Sequence, residues 1–297
     1  MLMILILRNL TNEIILGLIR LKNMRREIAL QKMGNALKDL NNVDRNILQP
    51  EDTRFTGNYF QWIKEELSGW DTFPWVLFGF GVGLQVMSFV LNPISWISIV
   101  TLIGTLFGML CTVAMCAGGY VNGHRVVSRS INGLLGGISV VAFVITNLSM
   151  GHYFSVIDQL VFFFLIDVEL MVTWRTWGRG KNQEIKKLSN KGYLLAGISM
   201  VVAWVALYFV GVQLGDQQPL FDSLVLAMGA IASWLCFKRY SLTYKIWLLS
   251  DVVQISLFVA TIAQAGFSQA SLAMILNYGF YFATAIVGLI NWEPTKK

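Results

Sequence analysis

Residues 95–115 read SWISIVTLIGTLFGMLCTVAM, a run of 21 residues without a charged side chain. At 1.5 Å per residue, a helix of this length crosses the roughly 30 Å apolar core of a bilayer. Seven further stretches meet the same length criterion, so the sequence predicts an all-α integral membrane protein with eight transmembrane helices. The predicted spans are Phe73–Leu91, Ser95–Met115, Ser130–Leu148, Tyr153–Thr173, Tyr193–Leu214, Leu220–Cys236, Thr243–Gln264 and Ala270–Asn291.

The composition agrees with a membrane protein. Apolar residues make up 55% of the 297 residues and charged residues 13%, whereas a soluble domain carries roughly 25% charged residues. Disordered, collagen-like and nucleic-acid-binding proteins are excluded, because none tolerates so large an apolar fraction. Cys111, Cys116 and Cys236 lie inside apolar stretches, which argues against a disulfide framework or a zinc site. We expect neither a metal nor a cofactor.

The distribution of positive charge predicts the orientation in the membrane. All 23 Lys and Arg residues lie before the first span, in the second, fourth and sixth gaps between spans, or after the last span. The first, third, fifth and seventh gaps contain none. Because positively charged loops stay on the cytoplasmic side, both termini are expected in the cytoplasm.

The first 70 residues differ from the rest of the chain. Ile14, Ile15, Leu18, Ile19 and Leu21 would form the apolar stripe of an amphipathic helix. A helix lying on the inner leaflet and a poorly ordered leader are the two alternatives for this segment. The predicted organisation is a cytoplasmic segment 1–70, an extra transmembrane helix 71–92, a three-helix repeat 93–178, a linker loop and linker helix 179–216, a second three-helix repeat 217–292 and a cytoplasmic tail 293–297.

An internal repeat is indicated by the ends of two spans. Trp174 and Trp292 close the fourth and eighth spans and lie 118 residues apart. The same offset pairs Gln159 with Asn277 and Phe163 with Tyr281. The two units would run in the same direction. The sequence therefore predicts a 3+1+3 core, in which one helix joins two parallel three-helix repeats, and one extra helix precedes this core. Transporters with such repeats bind their substrate between them, near the midplane.

Several polar side chains fall inside the predicted spans. A charge there costs about 2.5–3.5 kcal/mol on insertion scales, so it usually faces a cavity or a partner. Asp167 and Asp251 are each seven residues from an aromatic residue at a cytoplasmic boundary, a depth of about 10 Å. Trp247, Asp251 and Gln254 share one helical face. The candidate substrate-binding residues are Trp247, Asp251, Tyr244, Gln254, Asn277, Tyr281, Gln159 and Asp167.

Other roles remain open for some of these polar residues. Asn277 and Gln254 also fit a purely structural role as hydrogen-bonding contacts between helices. Asp158 and Asp222 lie near the outer ends of their spans, where solvated or helix-capping carboxylates are expected. No Gly-rich phosphate loop, HExxH, GxSxG or paired His/Cys motif occurs, so we predict no catalytic residues and no nucleotide-driven pumping.

The penultimate span carries a recognisable motif. Residues 244–253 read YKIWLLSDVV, which resembles the Trp-x-x-Trp-x-x-x-Asn/Asp motif of the Pnu family of vitamin-precursor transporters. Trp247 and Asp251 match its second and third elements, and Tyr244 replaces the first tryptophan. Phe221-Asp222-Ser223 is similar to the opening of the family's preceding span. Asp167 stands where the family usually has an amide, and Gly136 where the first repeat tends to have Asn.

The resemblance extends over about Phe73 to Trp292, and it implies properties that composition and spacing do not show. The best-known members of the family carry nicotinamide riboside. The resemblance therefore implies a homotrimer in the bacterial inner membrane that takes up this small molecule by facilitated diffusion. The substrate would be trapped by cytoplasmic phosphorylation and used for NAD synthesis, with membrane lipid as the surrounding partner and no nucleic acid involved.

Alternative functions are kept open. Within the family, thiamine or a deoxyribonucleoside is the second choice of substrate. A membrane ligand sensor comes from a different class, and a membrane enzyme is third. Three roles are open for Asp251 and Asp167. They could accept ligand hydroxyls, balance the charge of a pyridinium, or pair with Lys245 or Arg175 to close an inner gate. We favour hydroxyl acceptance, because the family accepts Asn at the Asp251 position and ribose hydroxyls satisfy a buried anion.

Overall fold

The computed structural model describes residues 57–116, 120–121, 124–125, 128–176 and 185–292. Most of them are helical, and two strands, β1 (Tyr120–Val121) and β2 (His124–Arg125), pair as a short antiparallel ladder. The helices are α1 Tyr59–Glu66, α2 Thr72–Val90, α3 Trp96–Cys116, α4 Asn132–Ser149, α5 Tyr153–Phe162, α6 Val168–Val172, α7 Asn190–Leu214, α8 Pro219–Phe237, α9 Leu242–Ala265 and α10 Gln269–Asn291.

Seven of the described helices are long and apolar enough to cross a membrane, namely α2, α3, α4, α7, α8, α9 and α10. The predicted span Tyr153–Thr173 is helical but is not one α-helix. A π-helical segment, Phe163–Asp167, separates α5 from α6. A π-helix places one extra residue in the turn and so changes which side chains face a neighbour.

The outer surface of the bundle is apolar. On α7, the side chains of Leu195, Val202 and Phe209 are each more than 60% exposed. An apolar surface of this extent is stable against lipid but not against water. Inside the bundle, α3 packs on α4 and α10, α8 packs on α5, α7 and α9, and α2 packs on α3 and α10.

The short helix α1 is attached to one end of the bundle, which we call the α1 end. Asn58 and Gln61 form a reciprocal capping box at its start. Trp62 is fully buried, donates its indole N–H to Ser130 Oγ at 3.0 Å and contacts Trp174 with ring centroids 5.5 Å apart. Residues 57–70 therefore pack against the core, whereas the predicted amphipathic stripe at residues 14–21 lies outside the described residues.

The opposite end of the bundle is tied together by Asp222, at the start of α8. Its carboxylate accepts the backbone N–H groups of Phe154 and Ser155 at 2.7 and 2.8 Å, and also the Ser155 hydroxyl. Asp222 thus caps α5, as its position in the sequence indicates. Nearby, the fully buried His152 shares a 3.0 Å hydrogen bond between its Nε2 and Thr261 Oγ1.

Acidification is expected to destabilise the protein through His152. Burial lowers the pKa of its imidazole from 6.5 to about 4, although Asp216 acts in the opposite direction. The fold therefore stabilises the neutral form. Its contribution is complete above pH 6.5 and is lost as the pH falls from 6.5 through 4, up to about 3 kcal/mol.

Thermal melting of the purified protein between pH 7.5 and 4.5 checks this expectation. His152→Gln keeps a neutral side chain at that position. Its melting temperature should therefore fall less between pH 7.5 and 4.5 than that of the wild type. Equal losses in the two proteins would contradict the assignment of this pH dependence to His152.

Candidate functional site

A cavity of about 850 Å³, counting its part open to solvent, lies between α3, α4, α5, α8, α9 and α10. These are the helices assigned to the two predicted repeats, and neither α2 nor α7 contributes a lining residue. A cavity of this size, surrounded by helices and mostly apolar with a few polar groups, is typical of a small-molecule site.

One face of α9 forms a wall of the cavity. Trp247, Ser250, Asp251 and Gln254 all line it, which is the spacing that the helical periodicity predicts. Asp251 and Gln254 are 7% and 3% exposed, and neither Asp251 nor the Gln254 carbonyl oxygen makes a hydrogen bond to a described residue. The Asp251 carboxyl group therefore has no donor among the described residues, and the Gln254 carbonyl oxygen is shielded from solvent in the wall.

Trp247 is half-buried and is held by other aromatic rings. Its ring lies 5.1 Å from that of Tyr244, edge to face, and 6.2 Å from that of Phe162. Tyr244 is only 2% exposed, and its hydroxyl donates to the Met115 carbonyl at 3.2 Å. Its ring packs directly on Gly288, where any side chain would collide with it. The structure thus places Tyr244 in the cavity wall as a support for Trp247.

Helices α5 and α10 contribute another part of the lining. Gln159 and Phe162 line the cavity on α5, and Tyr278 and Tyr281 line it on α10. These residues pair at an offset of 119, not at the offset of 118 that Trp174 and Trp292 show. The extra residue of the π-helix between Phe162 and Trp174 accounts for the difference.

Two predicted site residues do not line the cavity. Asn277 is fully buried and is not among the lining residues. Asp167 is fully buried as well, with its carboxyl group in the space that a side chain at position 136 would occupy. Gly136 itself lines the cavity, so Asp167 lies directly behind this part of the wall.

Asp158 is a lining residue that sequence reasoning missed. Its position near the outer end of a span indicated a solvated or capping carboxylate, whereas the structure places it half-buried in the cavity lining. The carboxyl group packs against Gly229 of α8, and its Oδ1 is inaccessible and has no hydrogen-bond partner among the described residues. The missing side chain at position 229 is what makes room for it, and a single sequence does not reveal such a contact.

The lining is acidic and aromatic. It contains the carboxyl groups of Asp158 and Asp251, and no Lys, Arg or His is among the described residues that form it. The hydroxyls of Tyr278 and Ser233 also lack partners there. A polar ligand in the cavity could supply hydrogen-bond partners to these lining atoms. The aromatic faces can stack on a planar ring, and the carboxylates can accept hydroxyls or balance a cation.

A different cluster has the composition of a metal site. Within the described ranges, donor atoms of His152, Asp216 and Asp222 lie within 4.8 Å of one another. This cluster is at the end of the bundle opposite α1 and does not line the cavity. Asp222 already accepts three hydrogen bonds there, so the arrangement is explained by the capping of α5.

Known proteins share both the sequence and the fold. A family model described as "Nicotinamide mononucleotide transporter" matches residues 95–294. The nicotinamide riboside transporter PnuC of Neisseria mucosa is 25% identical over 248 residues, which cover 80% of this chain and 86% of the relative. A crystal structure of the vitamin B3 transporter PnuC matches with a TM-score of 0.63 and 25% identity, covering 80% of this chain and 97% of that one.

The match to the family model covers more than half of the chain and includes every helix that lines the cavity. The motif around Trp247 and Asp251 lies on the cavity wall, where a transporter of small molecules needs its recognition groups. Sequence, fold and cavity therefore agree with the resemblance seen in the penultimate span. The chain belongs to the Pnu family of membrane transporters, matched here by the nicotinamide mononucleotide transporter model.

Proposed function

We propose that this protein takes up nicotinamide riboside across the bacterial inner membrane as a facilitated-diffusion uniporter. The observation that carries the proposal is the chemistry of the cavity in a chain of this family: an accessible tryptophan face, two carboxyl groups and no basic side chain among the described lining residues. Nicotinamide riboside has a planar pyridinium cation and a ribose with several hydroxyls. An aromatic face attracts such a cation by about 1–2 kcal/mol.

The same chemistry separates the riboside from the mononucleotide. A phosphate monoester carries a charge of about −1.5 to −2 at pH 7. It would meet Asp158 and Asp251 in a cavity whose described lining offers no Lys or Arg to bind it. We therefore propose the riboside as substrate. Thiamine, which also contains a planar cationic ring, is the second candidate, and an uncharged deoxyribonucleoside is the third.

Direction and arrangement complete the proposal. The predicted absence of a phosphate-binding loop favours transport down the substrate's own gradient. Phosphorylation in the cytoplasm then adds a negatively charged phosphate to the riboside, and the cavity no longer accepts the product. We propose eight membrane-spanning segments in a 3+1+3 core with one extra N-terminal helix, both termini in the cytoplasm and a homotrimeric assembly. In this proposal the helical stretch Tyr153–Val172, which is fourth in chain order, spans the membrane together with the seven long helices.

Binding by the purified protein tests the substrate assignment. In isothermal titration, nicotinamide riboside should bind more tightly than thiamine, thymidine or nicotinamide mononucleotide. The mononucleotide is the decisive comparison, because it differs from the riboside only by its phosphate. Tighter binding of the mononucleotide would contradict the electrostatic argument, and tighter binding of thiamine would change the substrate within the class.

Cysteine labelling tests the orientation. Ser149 and Gln217 are exposed at one end of the bundle, and Lys186 is exposed in the loop before α7. Ser149→Cys and Gln217→Cys are expected to react with a membrane-impermeant maleimide in intact cells, and Lys186→Cys only after the cells are opened. The native cysteines Cys111, Cys116 and Cys236 are buried, so background labelling should be low. Labelling of position 186 in intact cells would overturn the proposed orientation.

A further inference from the structure

The cavity contains a second carboxyl group that the Pnu motif does not include. Asp158 lies on α5, and Asp251 lies in the motif on α9. The Asp158 carboxyl group is pressed against the backbone of Gly229 on α8. Its Oδ1 is shielded and has no hydrogen-bond partner among the described residues. Packing between helices therefore fixes the position of this group, but no described protein donor satisfies it.

The groups around Asp158 do not supply a counter-charge. Tyr278 of α10 lines the same cavity, and its hydroxyl has no hydrogen-bond partner among the described residues. Asp222 is engaged in capping α5. No Lys, Arg or His belongs to the described cavity lining. The described lining thus provides no positively charged side chain to neutralise Asp158.

The charged form of a carboxyl group in such surroundings is high in free energy unless a partner neutralises it. Burial of an isolated charge in a medium of low dielectric constant is strongly unfavourable, and a cation brought next to it removes much of that cost. A neutral ligand of the same shape offers no such compensation. A carboxyl group held without a partner in a binding cavity therefore favours positively charged ligands over uncharged ones.

We propose that Asp158 is a specificity-determining residue that selects ligands with a positively charged aromatic ring. Asp251, beside Trp247, is the carboxyl group that we assign to the ligand's hydroxyls. This inference rests on the proposed function, because it assigns one part of the same ligand to each carboxyl group.

Two ligands that differ in charge but hardly in shape provide the test. Nicotinamide riboside carries the pyridinium charge, and its reduced form, dihydronicotinamide riboside, is neutral. Isothermal titration of the purified full chain should show that the wild type prefers the cation. In Asp158→Asn, the affinity for the cation should fall on the order of tenfold or more, while the affinity for the reduced form stays within about twofold.

A second variant displaces the carboxyl group without removing it. Gly229→Ala places a methyl group where the Asp158 carboxyl packs, so this variant should also lose preference for the cation. Gly197→Ala is the matched control, because nothing lies within 4 Å of a side chain added at that helical position. It should bind both ligands like the wild type. Retained binding of the reduced riboside shows that each variant is folded.

The outcomes separate the inference from the proposed function. Equal loss of both ligands in Asp158→Asn, or unchanged binding of both, would overturn the role of Asp158 and leave riboside transport intact. A wild type that binds neither form would overturn the proposed function itself, and the inference with it. Selective loss of the cation in both Asp158→Asn and Gly229→Ala is the result that supports the inference.

Discussion

Replacing Trp247 by alanine is expected to weaken the binding of nicotinamide riboside by roughly 1–3 kcal/mol, the range for loss of one stacked aromatic partner. That loss corresponds to an affinity lower by about 5- to 150-fold. Trp247 is half-buried and lines the cavity, and Tyr244 and Phe162 hold its ring in position. The Trp247 side chain therefore loses little conformational entropy when a ligand stacks on its ring.

A matched control separates stacking from general loss of packing. Trp234 on α8 is 50% exposed, lies outside the cavity lining and has Lys238 Nζ 4.8 Å from its ring. Trp234→Ala removes the same volume and should leave riboside affinity within about twofold, because no ligand contact is lost. Titration of both variants decides the matter, and wild-type affinity in Trp247→Ala would reduce Trp247 to a packing residue.

Asp251→Asn is expected to weaken the binding of nicotinamide riboside and of uncharged thymidine alike, by roughly 1 kcal/mol, the difference between a hydrogen bond to a charged group and one to a neutral group. Asp251 lines the cavity and has no hydrogen bond to a described residue, so ligand hydroxyls are its natural donors. An amide at this position can still accept a hydrogen bond, but a weaker one.

The other two roles of Asp251 predict different results. A counter-ion would make the variant lose only the cationic ligand, and that outcome would contradict hydroxyl acceptance. A gate formed with Lys245 or Arg175 would leave binding intact and reduce transport. The structure shows Lys245 exposed on α9 and Arg175 stacked 4.8 Å above Trp174, so neither basic group is engaged with Asp251 in this conformation. Titration with both ligands, together with vesicle uptake, distinguishes the three.

The sequence predicted those features that depend on a regular helical period. The apolar runs located seven of the eight predicted spans as continuous helices, and the face of α9 with Trp247, Asp251 and Gln254 follows from residues three to four apart. The spans and this helical face both depend only on the regular geometry of a single α-helix, and not on its contacts with other helices.

Features that depend on contacts between helices were not predictable. Asn277 was chosen by counting back from Trp292, but the π-helix in the first unit shifts the cavity-facing register by one residue. Tyr278 is therefore the residue of the second repeat that corresponds to Gln159, and Asn277 is buried outside the cavity lining. Asp158 was missed because its place in the cavity depends on a glycine 71 residues away in the sequence.

The central claim is that this chain moves nicotinamide riboside and does not merely bind it. Uptake of the labelled riboside into sealed proteoliposomes tests this most directly, with and without an enclosed riboside kinase and ATP. The riboside should equilibrate with the lumen in empty vesicles and accumulate beyond the external concentration only when the kinase is inside. Binding by the purified protein without uptake above protein-free liposomes would contradict transport and identify the chain as a ligand sensor.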